Sequence, residues 1–306
     1  MELSIVIPVY KCSSCIEELY NKLKENLKSF ESYEIIFVND DCPENSEEII
    51  KTLCKTEKNL KAIFLSKNFG QHHAITAGLK FSSGKYTVVM DCDLQDSPEE
   101  IINLYNEITK GYDLVVAKRE IRNDSFLKKI TSKFFYLVYS YFTGINFNSK
   151  TANFGIYSRK VIDGFLDMPE HGRNFGLFVN WMGFSRKELN VKHNSRFSGK
   201  TSYTWRRLLA LGGTSIIAHS NKPLILSIKL GFFMAFCSIL ATFYFIYRYF
   251  YFSIPITGWT SLIVSIFFLF GLLFINMGVL GIYIGRIFIE VKNRPLYLIK
   301  EKVNLD

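Results

Sequence analysis

The chain is poor in the features that would staple a small fold or address it outward. Its six cysteines, at 12, 15, 42, 54, 92 and 237, show neither the spaced pairs of a zinc site nor a disulfide framework. Cys12 and Cys15 make a lone C-x-x-C without a second pair, so the plain expectation is six reduced thiols. The N-terminal MELSIVIPVY lacks a basic n-region and a long apolar run, so the first domain is expected to stay on the side where it is made. A net charge of +9 is not joined by a nucleic-acid recognition motif. Basic residues interleaved with Phe, Tyr and Leu favour an anionic membrane surface instead, and no nucleic-acid partner is expected. Charge is missing altogether from Leu230 to Tyr247 and from Thr260 to Gly285.

What is present fits a folded protein: 48% of the 306 residues are hydrophobic and 16% aromatic. Up to about residue 120, short β-rich apolar runs alternate with polar, helix-compatible stretches, the pattern of an α/β domain with a mostly parallel sheet and helices on both faces. Strands are expected at Leu3–Val9, Tyr33–Asn39, Leu60–Leu65, Tyr86–Asp91 and Asp113–Ala117. Residues 126–142 place Leu127, Ile130, Phe134, Leu137 and Tyr141 at helical spacing beside Lys128, Lys129 and Lys133, as in a cationic amphipathic helix lying in a bilayer interface. A second such helix is expected at about 203–219. The two uncharged stretches are each long enough, at about 1.5 Å per residue, to cross a hydrocarbon core of about 30 Å. Lys222 and Lys229 precede the first span, and Arg286, Lys292 and Arg294 follow the second, a bias that puts both termini in the cytoplasm, with Arg248 as a mild counter-signal. The expected layout is a domain over 1–222, two transmembrane helices within 223–285 (about 226–250 and 260–285) and a cytosolic tail over 286–306.

Chemistry concentrates where the apolar strands end. Asn39-Asp40-Asp41 and Asp91-Cys92-Asp93 close two of them, the places where sheets of this class bind ligands. Extended geometry would send Asp91, Asp93 and Gln95 to one side. Hard divalent cations are held by one or two carboxylates together with substrate phosphates, so Asp91, Asp93 and Gln95 are the candidate metal ligands, for Mg²⁺ or Mn²⁺.

Four ordered motifs resemble family 2 glycosyltransferases, and among them the polyprenyl-phosphate glycosyltransferases. They are Ile7-Pro8-Val9-Tyr10, Val38-Asn39-Asp40-Asp41, Ser66-Lys67-Asn68-Phe69-Gly70-Gln71 and Met90-Asp91-Cys92-Asp93-Leu94-Gln95-Asp96-Ser97-Pro98-Glu99. The likeness continues through Arg196, Gly199 to Tyr203, and Gly281 to Pro295. It implies a GT-A fold in a multi-pass protein of the bacterial inner membrane, with the active site cytoplasmic. The nucleotide-sugar would meet Pro8, Val9, Tyr10, Asp40, Lys67, Asp91, Cys92, Asp93, Arg196 and Lys200. The acceptor, a polyprenyl phosphate or another lipid-linked group, would meet Arg119, Arg122, Lys128, Ser132 and Asn153, and catalysis would fall to Asp93, Arg119 and Lys128. Membrane lipids are further partners, and self-association is left open.

The chain departs from that pattern where similar enzymes carry Gly-Asp-Phe-Arg, since it reads Ala152-Asn153-Phe154-Gly155. Asn cannot act as a general base, but an acceptor phosphate, with a second pKa of about 6, needs none. The expected reaction is therefore an inverting, metal-dependent transfer to a lipid carrier phosphate. Transfer to a hydroxyl of a lipid-linked saccharide, with His171 or His193 as base, is the nearest alternative, and a non-catalytic saccharide-export component the next. A processive synthase is disfavoured by the lack of a Gln-x-x-Arg-Trp sequence.

Overall fold

The computed structural model describes residues 1–119, 140–142, 151–191, 220–252 and 258–305. They belong to two compact units, one of Met1–Tyr136, Ile145–Ser202 and Arg294–Asp306, the other of Leu137–Gly144 and Tyr203–Asn293.

The first unit is a sheet between two helical layers. Its strands are β1 (Leu3–Val9), β2 (Tyr33–Asn39), β3 (Leu60–Leu65), β4 (Tyr86–Val89), β5 (Leu114–Arg119), β6 (Thr151–Ser158), β7 (Arg186–Val191) and β8 (Ile299–Val303). Among the described residues the order is β7-β5-β6-β4-β1-β2-β3-β8. The four pairs β1–β2, β1–β4, β2–β3 and β5–β7 are parallel, whereas β4–β6, β5–β6 and β3–β8 are antiparallel. The sheet is thus mixed, because the chain beyond residue 150 returns along β4 and the C-terminal segment returns along β3.

Both faces are covered, which is why the central strands read as continuous apolar runs. Leu3, Ile5, Ile7 and Val9 of β1 point into one core with α1 (Ile16–Asn26), α2 (Ser46–Thr56) and α4 (Glu100–Ile108). Val6 points into the other, built by α3 (Gln71–Phe81), α5 (Arg159–Leu166) and α6 (Phe175–Trp181). On β2 the same alternation sends Ile35 and Phe37 one way and Ile36 and Val38 the other. Helix α1 buries Ile16, Leu19, Tyr20 and Leu23, the i, i+3, i+4, i+7 stripe of an amphipathic helix.

Residues 294–306, expected as a plain tail, supply β8. Its edge position is fixed by Lys51–Glu301 (2.6 Å) and Lys300–Glu47 (3.1 Å) ion pairs, and by Asn304 Nδ2, which donates to the carbonyls of Cys54 (2.9 Å) and Leu60 (2.8 Å).

The second unit contains α7 (Lys222–Phe252) and α8 (Trp259–Val291), both longer than the spans expected from charge-free runs alone. Each is long and apolar enough to cross a membrane. Asn276 of α8 pairs with Ser227 Oγ of α7, and Tyr283 Oη donates to the Ser220 carbonyl at 2.7 Å. Of the interfacial helix expected at 126–142, residues 140–142 are described and are helical, while the one expected at 203–219 lies outside the described residues.

Candidate functional site

The chain lays down β1, β2 and β3 in one direction, then crosses back to set β4 on the other side of β1. That reversal opens a crevice at the carboxyl ends of β1 and β4, where ligands of open α/β sheets bind. Three turns surround it, and each contains a non-glycine residue in the left-handed region: Lys11 (φ 54°), Asp41 (φ 51°) and Leu94 (φ 59°). Asp tolerates that conformation, but a buried Leu adopts it at a cost, and strain of this kind collects at functional sites.

The first turn follows buried Pro8 and Val9 and leaves Tyr10 43% exposed, with the Lys11 ammonium 5.4 Å from its ring centre. In the second, Asp40 is almost fully buried, and its backbone N–H donates to the Val9 carbonyl at 3.1 Å. Its Oδ1 accepts the N–H of Phe69 (2.7 Å) and its Oδ2 that of Gly70 (2.9 Å). Burial pushes the Asp40 carboxyl above its usual range, against those two backbone hydrogen bonds and nearby His73, which favour the ionised form. Asp40 therefore ties the loop carrying exposed Lys67 to the rim of the crevice and starts α3 there, at Gly70 with φ +96°.

The third turn differs from the expected extended run. Strand β4 stops at Val89, and the left-handed Leu94 breaks the alternation that would align Asp91, Asp93 and Gln95. Asp93 Oδ1 instead accepts the Gln95 backbone N–H at 3.2 Å, an Asx turn. Asp91 Oδ1 accepts from Gln71 Nε2 at 2.6 Å, so the first residue of α3 orients the first carboxylate. Gln71 closes the third sequence motif, and only the position of α3 gives it this contact. Cys92, between the two aspartates, is bonded to Cys12 of the first turn, which corrects the expectation that both are reduced thiols.

Among the described residues, no group of three His, Cys, Asp or Glu side chains converges to hold a metal ion alone. Two half-exposed carboxylates one residue apart still suit a hard cation that arrives with a diphosphate and completes its coordination from phosphate and water.

Val89 of β4 pairs with Gly155 of β6 where their register ends, and exposed Asn153 lies two residues before Gly155 on β6. Gly155 stands where similar enzymes have Arg, and packing explains it: a Cβ there would lie 2.8 Å from Tyr157 Oη and 3.0 Å from the Val115 carbonyl. Gly155→Ala is expected to destabilise the first unit by about 1–3 kcal/mol, read as a fall in thermal midpoint, because a backbone oxygen cannot step aside. Arg119 is the last residue of β5, paired with Val191 of β7. Arg122, Lys128, Ser132, His193, Arg196 and Lys200 lie outside the described residues.

Of the candidate bases for a hydroxyl acceptor, His171 has its Nε2 in a 2.6 Å hydrogen bond with the Arg294 carbonyl. His72, in the first turn of α3, accepts the Phe175 N–H at Nδ1 (3.4 Å), and burial drives it down to about 4, so it stays neutral at pH 7.

Comparison with known proteins agrees with this geometry. The profile described as glycosyl transferase family 2 matches residues 4–165. The uncharacterized glycosyltransferase YkcC of Bacillus subtilis (strain 168) is 36% identical, the match covering 100% of this chain and 95% of that one. The SfII prophage-derived bactoprenol glucosyl transferase of Shigella flexneri is 34% identical over 98% of each. Among solved structures, glucosyl-3-phosphoglycerate synthase of Mycobacterium tuberculosis, in complex with Mn²⁺, UDP and glucosyl-3-phosphoglycerate, shares the fold. Its TM-score is 0.53 at 14% identity, covering 71% of this chain and 78% of that one.

Proposed function

The chain belongs to glycosyl transferase family 2 and is a glycosyltransferase, and from that premise we propose that it moves a sugar from a nucleotide-sugar to a polyprenyl phosphate at the cytoplasmic face of a membrane, with inversion at the anomeric carbon. The observation that carries the donor half is the meeting of Asp91-Cys92-Asp93 with the Tyr10–Cys12 turn across the β1–β4 crevice. Asp91, Asp93 and Gln95 would hold a divalent cation, which supplies neutralising charge as the nucleoside diphosphate leaves. Pro8, Val9, Tyr10 and Asp40 would bound the base and ribose, and Lys67, Arg196 and Lys200 the phosphates.

The acceptor half rests on the bactoprenol-acting relative and on what the site lacks a need for. Asn153 offers no basic atom, and His171 is already engaged by Arg294. A phosphate monoester is largely dianionic at pH 7, with a second pKa of about 6, and attacks without a protein base. Arg119, Arg122, Lys128 and Ser132 would hold that phosphate while its tail stays in lipid. Membrane insertion through α7 and α8 is supported by their surfaces: Phe232 (74% exposed), Phe236, Phe267 and Phe274 are all largely exposed, a pattern suited to hydrocarbon. The basic residues that flank the two helices support a cytoplasmic position for both termini.

The test is reconstitution. Purified protein given Mg²⁺ or Mn²⁺, a panel of labelled nucleotide-sugars and polyprenyl phosphate alone is expected to put label into the extracted lipid. Asn153→Asp should change that rate only modestly. Label that enters lipid only after a lipid-linked saccharide is added would overturn the phosphate acceptor.

A further inference from the structure

We propose that Cys12 and Cys92 form a reversible dithiol–disulfide latch across the donor crevice, closed when bridged and competent when reduced; the proposal rests on the donor-site reading above. The two sulfurs are bonded although 80 residues separate them, with Cα atoms 6.5 Å apart. Each cysteine is the third residue beyond the end of its strand, Val9 of β1 and Val89 of β4, and those strands are parallel neighbours. The bridge therefore joins the two turns that open the crevice rather than reinforcing the sheet beneath them.

Its position within the site is specific. On one side it is one residue from left-handed Lys11 and two from exposed Tyr10. On the other it grips the central residue between the carboxylates that would meet the cation. In the bridged form, Asp91 Oδ1 is taken by Gln71 and Asp93 Oδ1 by the Gln95 amide. With Cys92 fixed to the first turn, neither carboxylate can swing over the crevice independently. A third sulfur sits at the second turn, where Cys42 Sγ accepts the Lys11 N–H at 3.2 Å. Disulfides inside reducing compartments are mostly transient or sensing, and a bond that joins two ligand-binding turns, with both cysteines buried beneath them, fits that use.

Opening balances with a small-molecule thiol such as glutathione. One thiolate attacks a bridge sulfur, the Cys12–Cys92 bond breaks, and a mixed disulfide forms. A second thiol then displaces the protein sulfur, leaving two protein thiols and one small-molecule disulfide, with two electrons passed to the protein. Closing is the reverse, with the small-molecule disulfide as oxidant.

The full chain in detergent would be equilibrated across glutathione redox buffers. Bridged peptides would be mapped by alkylation and mass spectrometry, and Mn²⁺-dependent binding of a panel of nucleoside diphosphates would be measured by calorimetry. The expected result is a Cys12–Cys92 peptide under oxidising conditions and binding about fivefold or more tighter after reduction, the scale of ordinary coupling between sites. Cys12→Ser and Cys12→Ala should each bind alike in both buffers, whereas Cys42→Ser should keep the response. No bridge at any poise, or binding by the oxidised protein equal to or tighter than by the reduced, overturns the latch, as does a lack of nucleotide binding in both states. Absence of labelled lipid with redox-dependent nucleotide binding intact would count against the proposed acceptor and leave the latch standing.

Discussion

Asp93→Ala is expected to lower sugar transfer by roughly a thousandfold while leaving the protein folded, a loss on the scale of removing one group aimed at charge that develops in the transition state. The expectation follows from where the carboxylate sits. Asp93 is only half-buried, on a turn, where its Oδ1 accepts the Gln95 amide at 3.2 Å. Losing that bond costs about 1 kcal/mol, far too little to unfold the domain. Asp93→Asn keeps an acceptor for the Gln95 amide but not the charge, so it should retain the wild-type thermal midpoint and still lose most of the activity. Transfer rate and midpoint measured on the same preparations separate the two contributions. Wild-type activity in either variant would remove Asp93 from the cation site.

The first four strands were legible in the sequence because both of their faces are buried. Leu3–Val9, Tyr33–Asn39 and Leu60–Leu65 begin and end where the apolar runs do. β4 ends two residues before the expected Asp91, although the Met90 N–H still donates to the Val6 carbonyl of β1 at 3.2 Å. β8 was hidden for the opposite reason. An edge strand reading Ile-Lys-Glu-Lys-Val buries one side only, and its charges guard the exposed edge, so it resembles a solvated tail. The candidate site was half legible. Strand ends with acidic residues locate the crevice, but contacts between distant turns, Gln71 with Asp91 and Cys12 with Cys92, depend on strand order, which no local pattern encodes. A C-x-x-C search looks within a short stretch, whereas the partner of Cys12 is 80 residues away.

At the opposite end of the same strands the sequence hid a buried charge, and its removal is the second large effect expected. Glu34, the second residue of β2, is fully buried. Its Oε1 accepts from Ser4 Oγ (2.5 Å), the Ser83 N–H (2.7 Å) and Ser83 Oγ (2.9 Å), and its Oε2 pairs with Lys61 Nζ at 2.6 Å. Ser4 Oγ in turn accepts the Gly84 N–H at 2.8 Å, so one carboxylate gathers β1, β2, β3 and the turn before β4. Glu34→Ala leaves the Lys61 ammonium and the Ser83 donors facing a void and should cost about 3–5 kcal/mol, a large share of a typical domain's stability. Glu34→Gln retains an acceptor and should cost less. Desolvation opposes ionisation of Glu34, but the bonds from Lys61, Ser4 and Ser83 outweigh it and hold the carboxyl below 4.5. The unfolded chain therefore binds the proton more readily, and the contribution is fully present above about 4.5 and lost as pH falls through the lowered folded value. Thermal midpoints of wild type and Glu34→Gln should then converge on acidification below that point, and parallel curves would contradict the assignment. Asn39, at the site end of β2, is about 17 Å away at 3.3 Å per residue, so activity per folded molecule should be unchanged. The amino ends of these strands hold the sheet together, which leaves their carboxyl ends free to carry strained turns and the half-exposed Asp91 and Asp93 carboxylates.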